Sequence, residues 1–157
     1  MENIEYLKGD ATKPQAEGNK IIAHICNDVG GWGKGFVVAI SKRWKEPEQQ
    51  YRKWFGSGEN FKIGELQLVQ TEADIWIANM IGQHKINTTS HGIPPIRYEA
   101  VEKCLSRLAK EALRIDASVH MPRIGCGLAG GKWEEIEQII TKTLLKSNVE
   151  VYVYDFE

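Results

Sequence analysis

The run "KIIAHICN", residues 20–27, shows no alternation of apolar and polar side chains. A strand of that composition is buried on both faces, so the rest of the chain must supply cover on two sides. "IEYLKGDAT" predicts a short strand from Ile4 to Lys8, broken at Gly9. Beyond a cluster of glycines, Phe36, Val37, Ile40 and Trp44 recur at helical spacing, and "PEQQYRKWFG" opens on Pro47 and closes on Gly56 as helices do. "GELQLVQT" and "DIWIANMI", separated by "EAD", predict a hairpin or neighbouring strands, which makes the sheet mixed. Val101, Cys104, Leu105, Leu108, Ala112 and Leu113 mark one face of an amphipathic helix. "ASVHMPRI" is then a strand, Trp133, Ile136, Ile139, Ile140 and Leu144 form a further helical stripe, and "VEVYVYDF" is a closing strand. The expectation is an α/β sandwich with a mixed central sheet and helices on both of its faces.

From Gly82 to Pro95, "GQHKINTTSHGIPP" has no apolar period and predicts a long loop, the first candidate for a mobile lid. With 157 residues, no repeat and no linker, residues 1–157 are expected to form one domain. Lysine and arginine number 20 against 21 acids, so charge implies no direct affinity for nucleic acid. Cys26, Cys104 and Cys126 are odd in number and lack CxxC spacing, which argues against a disulfide framework and a zinc site and fits a reducing cytoplasm. "MENIEYLKGD" has no leader-like character, and no apolar run approaches the ~18 residues of a membrane span, so no membrane partner is expected.

Two glycine loops carry the chemistry. In "NDVGGWGKGF" the P-loop pattern fails, because Gly33-Lys34 is followed by Gly35 and Asp28 stands where its first glycine belongs. The G-x-G-x-x-G pattern fails too, with Phe36 in the third place. The second loop, Gly125 to Gly130, does match G-x-G-x-x-G between a strand and a helix. A dinucleotide fold would place that pattern in its first βαβ unit with a second half to follow, and here one strand remains, which disfavours a nicotinamide-dependent oxidoreductase. What the loops share is glycine that admits backbone N–H groups to an anion ahead of a helix N-terminus. Two such loops at strand ends are suited to gripping one diphosphate.

"YLKGDAT", "HICNDVGGWGKGFVVAI" and "MPRIGCGLAGGKWEEIEQII" together resemble the macro domain family, ADP-ribose binders with a three-layer α/β/α sandwich. The first glycine loop resembles the branch of ADP-ribose 1''-phosphate phosphatases, and "MPRIGCGL" the branch of terminal ADP-ribose protein glycohydrolases. The resemblance implies that Asp10 receives the adenine amino group, with Ala11 offering backbone contact beside it. It implies that Asn27 holds the distal ribose hydroxyls and that Gly33, Lys34 and Gly35 form the first phosphate and ribose loop. Gly125, Cys126, Gly127 and Leu128 would form the second, and Tyr154 and Phe156 would pack the adenine. The residue types leave other roles open: a turn cap for Asp10, a core position for Tyr154 and a buried, inert thiol for Cys126.

The glycohydrolase branch uses an aspartate just after "GCGL" and a lysine near the end of the middle strand; this chain has Ala129 at the first place, Ile81 or Gly82 at the second, and Lys85 a few residues late. Candidates for proton transfer are His24, which matches the phosphatase-like motif, then His84 in the long loop, with Asp28 beside Asn27 able to orient water. His91 shares that loop, and the histidines lack HxxxH spacing, so neither metal nor cofactor is expected. The resemblance therefore implies either hydrolysis of an ADP-ribose derivative, a 1''-phosphate or an ADP-ribosyl bond on a macromolecule, or a non-catalytic ADP-ribose reader.

Overall fold

A computed structural model describes residues 3–156; Met1 and Glu2, within the stretch read for a leader, and Glu157 lie outside them. Strands β1 (Glu5–Lys8), β2 (Asn19–Asn27), β3 (Leu66–Glu72), β4 (Ile75–Gln83), β5 (Ala117–Met121) and β6 (Val151–Asp155) form one sheet in the order β1-β6-β5-β2-β4-β3. Every neighbouring pair is parallel except β3 and β4, the antiparallel hairpin around "EAD". The connections hold helices α1 (Phe36–Arg43), α2 (Glu46–Ser57), α3 (Tyr98–Arg114) and α4 (Trp133–Ile140), the last continuing as a π-helical turn over Thr141–Leu145.

The central run behaves as its composition requires. Along β2, Ile21 and Ala23 enter a core shared with α3, α4 and β5, while Ile22 and Cys26 enter the opposite core with Ile40, Trp44 and Tyr51 of the α1–α2 layer. Alternate side chains thus serve alternate layers, as the period of a strand dictates. The architecture is a three-layer α/β/α sandwich. Among the described residues, no helix is long and apolar enough to cross a membrane.

Local readings need adjustment at three places. Leu113 closes the predicted α3 stripe, yet it is exposed and Ala109 is buried instead. The strand predicted through Ile124 ends at Met121, where Pro122 and Arg123 begin the turn into the second glycine loop. β4 runs on to Gln83, two residues into the predicted loop, through a bulge: Cys26 pairs with Ile81 and Asn27 with Gln83, so Gly82 is skipped in the register.

The segment after β4 is a strap rather than a free loop. Gln83 bridges Ile96, the His84 amide donates to the Pro95 carbonyl at 2.8 Å, and Thr89 N donates to Ile93 O at 2.9 Å. Its far end is tied to the second glycine loop by Ile96 N to Ala129 O at 3.0 Å.

Two-sided burial of β2 has a measurable consequence. Ile21→Ala and Ile22→Ala, each fully buried in a different core, are each expected to lower the unfolding free energy in urea by about 2–5 kcal/mol. A negligible loss for either would mean that one face of β2 is uncovered.

Candidate ligand-binding cleft

The carboxyl ends of the parallel strands open into a trough of adjoining cavities. One, of about 240 Å³, lies between Asp10, Ala11, Phe36, Pro122, Tyr154 and Phe156. It shares Phe36 and Pro122 with a middle cavity of about 220 Å³, bounded by Lys34, Gly35, Gly125 and Gly127. That cavity shares Ile25, Lys34, Val37, Gln83 and Leu128 with a third, of about 360 Å³, which reaches Asn27, Trp32 and Ile86. The trough lies where open α/β sheets hold ligands, and its shape suits an elongated molecule.

The glycines around it divide into two sorts. A Cβ on Gly33, Gly35 or Gly127 would meet no atom within 4 Å. On Gly125 and Gly130 it would meet Ile96 and Pro94 of the strap at 2.7 Å, and on Gly131 the Gly125 carbonyl oxygen at 2.5 Å. In the G-x-G-x-x-G match, therefore, only Gly127 keeps space open toward a ligand; the outer glycines let the strap pack. Gly35, at φ 79°, is the N-cap of α1, and that helix start has no side-chain cap and no acid in its first turn. An anion in the middle cavity meets it beside Lys34. The start of α4 differs, because Glu134 and Glu135 occupy its first turn. The expectation that both helix termini offer positive charge thus holds for α1 alone.

At the Asp10 end, carboxylate oxygen Oδ1 accepts from Thr12 N at 2.8 Å and Thr12 Oγ1 at 2.7 Å. Asp10 therefore does cap its turn, while Oδ2 has no protein partner in the described hydrogen bonds and remains able to accept from a ligand amine. Tyr154 is 3% exposed and Phe156 80% exposed, one a fixed wall and the other an open flap of the same cavity. The Tyr154 hydroxyl accepts from Gln15 N at 2.8 Å and meets Nδ1 of His120, also at 2.8 Å, which anchors the segment carrying Asp10 and Ala11.

At the other end, Asn27 organises the first glycine loop. Its Oδ1 accepts from Val29 N at 3.0 Å, Gly31 N at 2.9 Å and the Tyr51 hydroxyl at 3.0 Å, and its Nδ2 donates to Gly31 O at 2.9 Å. One Nδ2 hydrogen remains for a ligand. Asp28 links this loop to the strap: Oδ1 accepts from Lys85 N at 2.7 Å, and Oδ2 stands 2.6 Å from His84 Nδ1. Burial pushes the Asp28 carboxyl up, but the hydrogen bonds from Lys85 and His84 hold it below the usual carboxylate range. His84 Nε2 has no partner in the described hydrogen bonds and its side chain is 46% exposed.

His24 borders the middle cavity from beneath. It is 2% exposed under Trp32 and Phe36, with Nε2 donating to Asn79 Oδ1 at 2.5 Å. Burial drives its pKa down to about 4 although the Asn79 contact opposes this, so the ring is neutral near pH 7. Cys126 is half-buried, its thiol donates to Ile124 O at 3.4 Å, and burial raises its pKa while Arg123 opposes. Nothing there activates a thiolate. His91 is exposed at the strap tip. Among the described residues no group of His, Cys, Asp and Glu stands ready to hold a metal ion.

Among the contributors that the sequence reading missed, Tyr51 and Gln83 bear on the Asn27 end. Tyr51 comes from α2 and donates from its hydroxyl to the Asn27 carbonyl at 2.6 Å; its helical spacing gives no hint of that. Gln83, not Ile81 or Gly82, sends a side chain into the cleft from the end of β4, because Ile81 is fully buried and the bulge skips Gly82.

No family model matches the chain. A protein of unknown function from Bacteroides thetaiotaomicron is 57% identical and superposes with a TM-score of 0.96 over 98% of either chain. A macrodomain protein from Streptomyces coelicolor is 48% identical, with a TM-score of 0.86 over 98% of this chain and 99% of the other. Among curated relatives, chromodomain-helicase-DNA-binding protein 1-like from Mus musculus is 31% identical over 163 residues, 98% of this chain. The chain spans only 18% of that relative's length, and 15% of its Danio rerio counterpart. The ADP-ribose 1''-phosphate phosphatase of Candida albicans is 26% identical over 151 residues, covering 87% of this chain and 91% of its own.

The buried histidines predict an acid response. His24 and His120 are lowered by burial from 6.5 to about 4 and about 3. The unfolded chain therefore takes up their protons first, so stability holds above pH 6.5 and falls as pH drops toward 4, by ~1.4 kcal/mol per pH unit per histidine. Urea midpoints at pH 7 and pH 5 should show that fall, and His24→Gln should make it shallower; an unchanged slope would show that His24 is hydrated.

Proposed function

The chain belongs to the macro domain family, and on that premise we propose that its trough binds ADP-ribose lengthwise and that the protein hydrolyses an ADP-ribose derivative at the distal ribose. The observation that carries this reading is the order of groups along the trough. A free carboxylate oxygen and an aromatic wall stand at one end, an uncapped helix start with Lys34 and Gly127 in the middle, and an amide donor at the other. That order follows adenine, diphosphate and ribose. Asp10 takes the adenine amine and Ala11 lies beside it. Gly33, Lys34 and Gly35 receive the diphosphate opposite Gly125, Cys126, Gly127 and Leu128, and Asn27 takes a ribose hydroxyl through its remaining Nδ2 hydrogen. The likeness to a yeast ADP-ribose 1''-phosphate phosphatase supports the choice of ligand.

For the reaction, we assign proton handling to His84. Asp28 accepts from its Nδ1–H, which fixes the tautomer and leaves Nε2 as the basic nitrogen toward solvent water. His24, neutral and enclosed, acts by holding the floor of the middle cavity. With Ala129 in place of a carboxylate and no lysine at the end of β4, attack by water without a covalent adduct is the route these residues can serve. The second reading, a reader without turnover, is favoured by that same Ala129 and by the enclosure of His24.

Calorimetry with ADP-ribose, AMP and ribose 5-phosphate tests the ligand. Gly127→Glu, which places a side chain and a negative charge in open cleft, is expected to abolish ADP-ribose binding in a folded protein. Asp10→Ala should weaken ADP-ribose by about 1–3 kcal/mol and leave ribose 5-phosphate unaffected; equal loss for both would remove Asp10 from the adenine contact. Turnover on the 1''-phosphate and on protein- and nucleic-acid-linked ADP-ribose then separates enzyme from reader. In an enzyme, His84→Ala should slow the rate ~100-fold with binding kept, and borohydride should trap no adduct. Tight binding without turnover on any of the three leaves the reader.

A further inference from the structure

We infer that Gln83 reads the substituent on the anomeric carbon of the distal ribose, and that it favours a neutral hydrogen-bond donor there, a hydroxyl or an N–H, over a phosphate ester. This rests on the ADP-ribose reading of the trough.

The bulge at the end of β4 sets Gln83 directly beside Asn27 in the strand register, and both residues line the distal cavity. The Gln83 side chain borders both the middle and the distal cavities. Its orientation is decided by chemistry. The neighbour of its amide is the Lys85 carbonyl at 2.8 Å, an acceptor only, so the NH₂ group faces Lys85 and donates to it. Oε1 is thereby left without a partner in the described hydrogen bonds.

A lone carbonyl oxygen accepts hydrogen bonds and repels anions. A free anomeric hydroxyl or an N-glycosidic N–H satisfies it; the oxygen linking a phosphate brings no hydrogen and carries negative charge past it. Asp28, next in sequence to Asn27 and held ionised by Lys85 and His84, adds a second negative field at the same end. Lys34 borders both cavities, and it lies one residue before the α1 N-cap, where it serves the diphosphate. Besides Lys34 and the backbone of Gly31 and Gly33, the distal cavity is walled by Trp32, Val37, Ile86 and Leu128, whose side chains bring no further cation to a phosphate.

The test compares three probes by calorimetry: ADP-ribose, its 1''-deoxy analogue, and a 1''-methylenephosphonate that hydrolysis cannot cleave. Wild-type protein should bind ADP-ribose ~10-fold more tightly than the deoxy analogue and bind the phosphonate most weakly of the three. Gln83→Leu should bring ADP-ribose and the deoxy analogue within about twofold of each other. Gln83→Lys, which exchanges the acceptor for a cation, should raise the affinity of the phosphonate above that of the deoxy analogue. AMP affinity and the unfolding temperature should be unchanged in both variants. A wild-type ratio retained in Gln83→Leu, or a wild type indifferent to the anomeric group while binding ADP-ribose, overturns this inference and leaves the ligand assignment standing. Failure of wild-type protein to bind ADP-ribose overturns both.

Discussion

The side-chain amide of Asn27 is the contact on which the cleft depends. Its oxygen gathers two backbone amides while its nitrogen returns a bond to Gly31, so three hydrogen bonds close one short loop, and the Tyr51 hydroxyl is shared between that oxygen and the Asn27 carbonyl. The loop has no regular structure to satisfy its backbone, and buried polar groups left unpaired are costly. Asn27 meets that need from the last position of the central strand. Because Tyr51 reaches it from α2, the loop's shape is referred to the helical layer as well as to the sheet. The α1 start, Lys34 and Gly33 all follow from where that loop ends.

A second constraint joins the two sides of the cleft. The strap after β4 touches the first glycine loop through Asp28 to His84 and Lys85, and through Ile86, which stands where a Gly31 side chain would be. It touches the second through Ile96 to Ala129 and Pro94 against Gly130. Two loops far apart in sequence are thus spaced by one segment packed against both. The positions at which the strap presses on glycine backbone admit little adjustment, since packed interiors transmit displacement rather than absorb it.

Much of the fold is legible in the chain because it is local. "KIIAHICN" declares burial on both faces, and the α3 stripe declares its own helix; that stripe departs only at Leu113, which the helical turn places off the face that buries Leu105, Leu108 and Ala112. What escapes local reading is set by pairing between distant segments. The bulge that brings Gln83 beside Asn27 exists in the register of β2 against β4, not in either strand. The enclosure of His24 follows from Trp32 and Phe36 closing over it, whereas "AHIC" alone favours a core histidine and leaves a catalytic one open. The pairing of Asp28 with His84 spans 56 positions and becomes visible only when the strap is folded back.

The division among the glycines bears on how such a loop varies. Gly125 and Gly130 answer to the packing of the strap, Gly131 to the Gly125 carbonyl, and Gly127, between them, to open space. Within seven consecutive residues, then, a mutational scan should separate two phenotypes: substitutions that deplete the folded protein in the cell, and a substitution that leaves its abundance intact while silencing it. Drift at the first sort is checked by proteostasis; on the proposed ADP-ribose reading, drift at the second is checked only by selection on activity. A lineage that abandons the ligand would be expected to keep the outer glycines and lose Gly127 first.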